Sequence, residues 1–299
     1  MGIKHTPEEA IVTRLAVVGD IHGNLPALEA VMQDMRRFRV DQVVAVGDNV
    51  SWAPFSAQVM EIITREHWSA IRGNHEYYLL DYKTPRAPEH WHEYDLPGWL
   101  YEQLQGHWHQ VIAGLPDELS LRFPDAPPVR VVHARPGNPW HGLYPTTPDV
   151  EVIAALSSVA EETVITAHTH LSLDRRVGHW HLLNPGSVGM PLDGDIRAQY
   201  LILEGDATGW RAEMRRVEYD LVPVVEAFRQ HRLLERYLTT SLILKEHERA
   251  RCYILPFNRW RKLNRADRPV SLALIEEYLA LSPDGLYLPE YPVEYMMGL

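Results

Sequence analysis

Three short apolar runs, each stopping at a polar cluster, constrain this chain more than any other feature. Val43-Val44-Ala45-Val46 runs into Gly47-Asp48-Asn49, and Leu15-Ala16-Val17-Val18 into Gly19-Asp20-Ile21-His22. Trp68-Ser69-Ala70-Ile71 likewise runs into Arg72-Gly73-Asn74-His75-Glu76. Short runs of small and β-branched residues predict buried strands. Leu28, Val31, Met32 and Met35 have helical spacing behind Pro26, so a helix is expected from Leu25 to about Phe38, and a second over 56–65. Strands over 14–18, 42–46 and 68–71 that alternate with helices predict parallel pairing. Ligands of such sheets bind at the carboxyl ends of the strands. Asp20, Asp48 and Asn74 all stand there, and Asp48 is the best candidate to hold two ions together.

Beyond residue 117 the strand pattern returns. Strands are expected over 118–123 and over 129–132, the latter ending in His133. A helix near 148–159 leads to a strand over 163–166, which ends in Ala167-His168-Thr169-His170. Runs at 172–177, 180–183, 196–203 and 210–217 predict a second, largely antiparallel sheet face. From Leu221 onward helices dominate, over about 221–229, 231–246 and 271–280. The basic stretch 245–270 reads as a solvated helical appendage, followed by an acidic, proline-broken tail.

Residues 76–110 differ in texture. Tyr77, Tyr78, Tyr82, Trp91, Tyr94, Trp99, Tyr101 and Trp108 are broken up by Pro85, Pro88 and Pro97. This predicts an irregular, partly helical insertion over 77–116 beside the strand ends. Two roles stay open for it: a cap that touches substrate, or a satellite hydrophobic cluster under a long loop.

Composition narrows the class. With 299 residues, 45% hydrophobic and 23% charged, the chain can bury a sizeable core as an ordinary globule. A net charge of −11 argues against stable nucleic-acid binding. The lone Cys252 excludes an intrachain disulfide and suits the cytoplasm. No apolar run approaches the ~20 residues that span a bilayer, so no membrane association is expected, and Met1 to Thr13 lacks a signal-peptide core. Met1-Gly2-Ile3-Lys4-His5-Thr6 fits a loose myristoylation pattern and is read as coincidence.

Asp20/His22, Asp48, Asn74/His75, His133 and His168/His170 each end an expected strand. This mixture of imidazole, carboxylate and amide donors suits Mn²⁺, Fe or Zn²⁺ better than Mg²⁺ or Ca²⁺. Residues at i and i+2 share a side only in extended structure, which lets His168 and His170 face one site together. The pairs His90/His92, His107/His109 and His179/His181 have the same spacing but no strand-end carboxylate, so packing or surface roles are expected for them. Asn49-Val50-Ser51 matches a glycosylation sequon, discounted at a metal-site turn.

In order, Asp20-Ile21-His22, Gly47-Asp48, Gly73-Asn74-His75-Glu76, His133 and Ala167-His168-Thr169-His170 resemble the blocks of the calcineurin-like metallophosphoesterase superfamily. The resemblance covers about residues 13–217 and continues through Asn184-Pro185-Gly186-Ser187-Val188-Gly189, a turn of the bacterial and archaeal branch. It implies an α/β fold, a four-layer α/β/β/α sandwich of two mixed sheets. With it comes a division into a phosphoesterase domain over 1–217 and a helical extension over 218–299. It also implies one divalent ion on Asp20, His22 and His170, another on Asn74, His133 and His168, and Asp48 bridging. The metals expected are Mn²⁺ first, then Fe, Zn²⁺ or Ni²⁺. The implied activity is hydrolysis of a phosphomonoester or phosphodiester by a metal-bridging hydroxide, with His75 either protonating the leaving group or supporting the ligands.

Two departures from the family bear on substrate. Ala167 replaces a glycine, a change that fits. After Gly47-Asp48 the protein Ser/Thr phosphatases carry a further D-R-G, whereas this chain reads Asn49-Val50-Ser51-Trp52-Ala53-Pro54. A protein-phosphatase activity is therefore the weaker alternative, although Arg72-Gly73-Asn74-His75-Glu76 matches those enzymes. Arg135 is either a replacement phosphate clamp or a structural partner of a carboxylate. The expected partner is a small phosphorylated substrate, with the aromatic insertion pointing to nucleotides or dinucleoside polyphosphates. The other alternative is a non-catalytic interaction module on the same fold.

Overall fold

Neighbouring residues of the first strand enter different cores, which is why its sequence shows no polar alternation. In the computed structural model, which describes residues 12–88, 91 and 96–281, β1 (Thr13–Val18) turns Leu15 and Val17 one way and Ala16 and Val18 the other. β2 (Gln42–Val46) and β3 (Ser69–Ile71) continue the sheet in parallel. α1 (Leu25–Met35) and α2 (Ser56–Arg65) are the crossovers. Asn24 caps α1 by accepting from the Ala27 N–H, and Pro26 sits in the first turn where its missing donor is harmless.

β9 (Ala198–Asp206) and β10 (Gly209–Val217) extend this sheet on the other side of β1, in the order β10-β9-β1-β2-β3. The second sheet runs β4-β5-β6-β8-β7, from β4 (Glu118–Leu121), β5 (Val129–Val132), β6 (Thr163–Ile165), β7 (Ser172–Val177) and β8 (Trp180–Pro185). Its three middle strands are parallel and its two edges antiparallel. The expected antiparallel face over 172–217 is therefore corrected. The first hairpin closes one sheet, and the second joins β1 with Leu15 opposite Leu203. Local alternation marks a strand but does not choose its neighbour.

Leu15, Val17, Val44 and Val46 meet Val129, Val131, Ile165 and Leu183 between the sheets. α1 and α2 cover the outer face of the first sheet, and α6 (Asp149–Leu156) covers the second. These layers form the α/β/β/α sandwich. The insertion is more regular than expected: α3 (Asn74–Asp81), α4 (Leu96–Leu104) and α5 (His107–Ala113) bury Leu79, Leu100, Leu104 and Ile112 in the outer core. The leader with its myristoylation pattern, His90, His92, Tyr94 and the tail from 282 lie outside the described residues.

The C-terminal extension comprises α7 (Val222–Gln230), α8 (Leu233–Arg236), α9 (Thr240–Arg249), α10 (Ile254–Asn264) and α11 (Leu272–Leu281). The single helix expected over 231–246 is broken, because Arg232 is left-handed and Tyr237 extended. α10 lies in the basic stretch 245–270 expected as a solvated helical appendage, but only part of it is solvated: Ile254, Phe257 and Trp260 are buried, and Pro256 lies in the first turn, where a missing N–H is tolerated. Phe228, Leu242, Ile243, Phe257 and Tyr278 share one core with Ala53 and Trp99 of the preceding chain. Among the described residues no helix is long and apolar enough to cross a membrane.

Glu246 of α9 is buried and accepts from the Tyr253 and Ile254 N–H groups through Oε1. Burial pushes its carboxyl up to about 7, against those backbone donors. A carboxyl raised on folding favours its neutral form, so its contribution is complete below about pH 4.5 and is lost as pH rises towards 7. Glu246→Gln keeps the Oε1 acceptor and removes the titration. In urea unfolding the variant should gain on the wild type between pH 5 and pH 8, by a few kcal/mol at most, since a tenfold change in proton affinity is worth about 1.4 kcal/mol. A constant difference across that range would show that Glu246 does not titrate there.

Candidate metal centre

Seven residues from the expected strand ends converge beneath one rim, all but His168 almost fully buried. Asp20, His22, Asp48 and His170 form one group able to hold a cation, and Asp48, His133 and His168 another, with donor atoms in each group within 4.8 Å of one another. Asp48 belongs to both. Its Oδ2 lies 3.7 Å from His22 Nε2 on one flank and 3.4 Å from His133 Nε2 on the other. His22 Nε2 and His170 Nε2 face each other at 3.1 Å, and His170 Nε2 is 3.7 Å from Asp20 Oδ1. Asn74 Oδ1 lies 3.1 Å from His133 Nε2 and 2.9 Å from His168 Nδ1, completing the second group.

The backbone is bent to make this convergence. Asp20, His22, Asp48, His168 and His170 all have φ between 50° and 68°, a left-handed conformation that non-glycine residues adopt at a cost of about 1 kcal/mol or more each. Surrounding hydrogen bonds hold it. The His168 N–H donates to Asp20 Oδ2 at 3.0 Å, and the His75 N–H donates to Asp48 Oδ1 at 2.8 Å. Ser187 Oγ donates to the Asp20 carbonyl, and Gly189 N–H reaches the same oxygen. Gly47 has φ of 81°, and a Cβ there would lie 2.6 Å from the Gly73 nitrogen and 2.7 Å from His133 Nδ1. No side chain fits in that position.

Ring orientation matches a metal-ligand role. His133 Nδ1 donates to the Val46 carbonyl at 2.8 Å and His170 Nδ1 to the Met190 carbonyl at 2.6 Å. Each bond fixes the tautomer and aims Nε2 inward. Burial acts first on every group here. It pulls His168 down to about 3 and His170 to about 4. It raises Asp20, with Asp48 adding to the rise and His133 opposing it. Asp48 goes the other way, held well below the carboxylate range because His133, His75 and His22 outweigh burial. The same attraction overcomes burial at His133 and pushes it up to about 9. Lone pairs and carboxylates packed this closely fit a pair of divalent cations.

Glu76 stands in the sequence motif without an assigned role. It is buried and binds both ligand loops together, accepting from the N–H groups of Gly73, Asp48 and Asn49 and from Asn49 Nδ2. Trp52 is a second residue that sequence reasoning passes over, and its ring stacks on His22 with centroids 4.2 Å apart. An acidic residue at the third position of a helix is a capping signal, so Glu76 was findable. Trp52 carried no signal.

Other expectations sort by geometry. Arg135 pairs with no carboxylate among the described residues; its Nε and one Nη donate to the Gly142 carbonyl at 3.3 and 3.2 Å. A Cβ on Gly142 would lie 3.0 Å from the His168 ring, which puts this loop against the second group. Arg72 is turned away, bound to Asp117 and the Ala113 carbonyl. His181 pairs with Asp174, while His179 lies in the turn before β8, not on a strand face. His107 and His109 lie on α5.

The insertion's aromatics divide. Trp99 is buried in the core of the extension, and Tyr101 and Trp108 pack on the outer core. Tyr78 instead continues outward from His75, at 5.1 Å, to Trp91 at 4.7 Å and Trp140 at 5.3 Å. Trp140→Ala is expected to raise KM for a nucleoside phosphate about tenfold, stacking being worth ~1–3 kcal/mol per base. KM for an alkyl phosphate and the bound metal should stay unchanged. Trp99→Ala should instead lower the melting temperature, since a buried Trp truncation costs ~3–5 kcal/mol. Equal KM changes on both substrates would remove the stacking role.

Residues 14–208 match the calcineurin-like phosphoesterase superfamily domain. An uncharacterised protein of Methanocaldococcus jannaschii is 28% identical over 242 residues, 75% of this chain and 96% of its own length. The crystal structure of a metallophosphoesterase from Sphaerobacter thermophilus is similar at a TM-score of 0.63 and 25% identity, covering 80% of this chain and 99% of that one. A hypothetical protein from Pyrococcus horikoshii shares the fold at a TM-score of 0.68 and 21% identity, with the same coverage.

Proposed function

The chain belongs to the calcineurin-like phosphoesterase superfamily, and from that premise we propose that it is a dinuclear metal-dependent phosphoesterase acting on phosphomonoesters or phosphodiesters. We place its substrates among nucleotides or dinucleoside polyphosphates, on the strength of the rings that run outward from His75 to Trp140. The observation that carries the activity is the position of Asp48, shared between the two groups of potential ligands. Two divalent ions, Mn²⁺ foremost, supply Lewis acidity and lower the pKa of water when bound.

In this reading Asp20, His22 and His170 would hold one ion and Asn74, His133 and His168 the other, with Asp48 available to both. His75, with Nε2 3.9 Å from Asp48 Oδ2, stands where a proton can be passed to a leaving oxygen. Arg135, held on the Gly142 carbonyl with its remaining Nη free of partners among the described residues, would orient the phosphoryl group from the loop that lies against His168. All the candidate ligands but His168 are almost fully buried, so charge interactions among them are strong. Protein phosphatase activity has less support, because Arg72 is bound by Asp117 away from the ligands. A buried lone Cys252 fits action in the reducing cytoplasm.

Metal analysis combined with Mn²⁺-dependent turnover of p-nitrophenyl phosphate and bis-p-nitrophenyl phosphate tests the reading. Two ions per chain and turnover of at least one substrate are expected, and their ratio separates monoesterase from diesterase. Two ions with no turnover on either substrate or on nucleotides would make the chain a binding platform. No bound ion would overturn the proposal.

A further inference from the structure

Trp52 belongs to none of the ligand motifs, yet it stands between the candidate metal centre and the C-terminal helices. Its φ is 62° and that of Ser51 before it 83°, a conformation that a bulky residue keeps only where its surroundings hold it. On one side its ring covers His22 at 4.2 Å and meets His170 edge-on at 5.6 Å. On the other it packs against the core of the extension and against Met190, Leu192 and Cys252, where Leu255 of α10 joins it.

The ligands of the two ions differ in what orients them. His133 is fixed by the Val46 carbonyl inside the sandwich, and Asn74 opens α3, whose first turn Glu76 ties to the Asp48 loop. His170 is fixed by Met190, which shares a hydrophobic cluster with Leu192 and with Cys252 of the extension. The same loop is bound to the extension where the Gly194 N–H donates to the Ala250 carbonyl at 2.9 Å. Among the described residues no hydrogen bond holds the back of the His22 ring: its Nδ1 is buried without a partner, and only Nε2 is engaged, facing His170. A ligand imidazole normally has such a bond to hold its ring. Here the stacked indole takes that place.

We propose that the C-terminal helices act on the metal centre through Trp52 and Met190, orienting His22 and His170 and so setting the affinity of the first ion and not of the second. Trp52 is then a positioning residue, and the extension a support specific to one half of the site. The inference rests on the dinuclear reading of the centre.

Calorimetric titration of the full metal-free chain with Mn²⁺ tests it. Two binding events are expected, assigned to the two groups with His22→Ala and His133→Ala. Trp52→Ala and Leu255→Ala should each weaken the first event by about tenfold or more and leave the second little changed. Trp52→Phe, which keeps a ring on His22, should restore it. In the double variant the losses should combine to less than their product, because both act along one route. Equal weakening of both events, or an unaltered first event in folded Trp52→Ala, would overturn the proposal. Should Trp52→Ala fail to fold, Trp52→Leu and Leu255→Ala decide on the same criteria. A wild-type chain that binds fewer than two ions would overturn the dinuclear reading instead.

Discussion

Asp48→Ala is expected to empty both halves of the site and to lower the rate of phosphoester hydrolysis by roughly 10³-fold or more, about 4 kcal/mol of barrier. Among the described residues Asp48 alone belongs to both groups: Oδ2 lies between His22 and His133, and Oδ1 accepts from the His75 N–H. Removing the carboxylate also removes the charge that pushes His133 up to about 9 against burial, so in the metal-free variant its pKa should fall. Asp48→Asn separates this effect from collapse, because an amide keeps the acceptor for His75 while losing the charge. His22→Ala, by contrast, should chiefly empty the first half. Atomic absorption on the purified variants, with kcat measured at saturating Mn²⁺, checks both statements. If Asp48→Ala retained two ions and a near-normal rate, Asp48 would not bridge.

The second large effect is expected at His75. Burial pulls its imidazole down to about 4, with Asp48 acting in the opposite direction. In the free site it therefore stands neutral at pH 7, and anionic phosphoryl oxygens beside Asp48 would raise its proton affinity. In the proposed reaction it would then donate that proton to the leaving oxygen. General acid catalysis is typically worth ~10²–10⁴ in rate. A nitrophenolate departs without help, so His75→Ala should barely slow its release, whereas an alkoxide such as a ribose oxygen should lose two orders of magnitude or more. The competing role is support. The His75 N–H holds Asp48 Oδ1, but that bond belongs to the backbone and survives the substitution. Equal losses on both leaving groups, together with lost metal, would make His75 a support and not an acid.

The convergence of the candidate ligands was legible because each is anchored to a local pattern. Asp20, Asp48, Asn74, His133, His168 and His170 end apolar runs whose composition already marks them as buried strands, and strand ends of an α/β sheet share one rim. The parallel run β1-α1-β2-α2-β3 was legible for the same reason, since its crossovers lie between consecutive strands. Partner choice was not. The β7–β8 and β9–β10 hairpins both read only as paired strands in the sequence, yet the second completes the first sheet and the first the second. That choice depends on which sheet edge is open once the body has formed. Side-chain environment was equally invisible at Trp52 and Trp99. Nothing in the sequence around either residue distinguishes their fates, but one covers the ring of a candidate ligand and the other fills the core of the extension. Residue type and spacing report what a segment can do with its own hydrogen bonds and its own faces. Which neighbour it meets is decided by clusters that gather residues as far apart as Trp52 and Leu255, which only closure of the whole chain brings together.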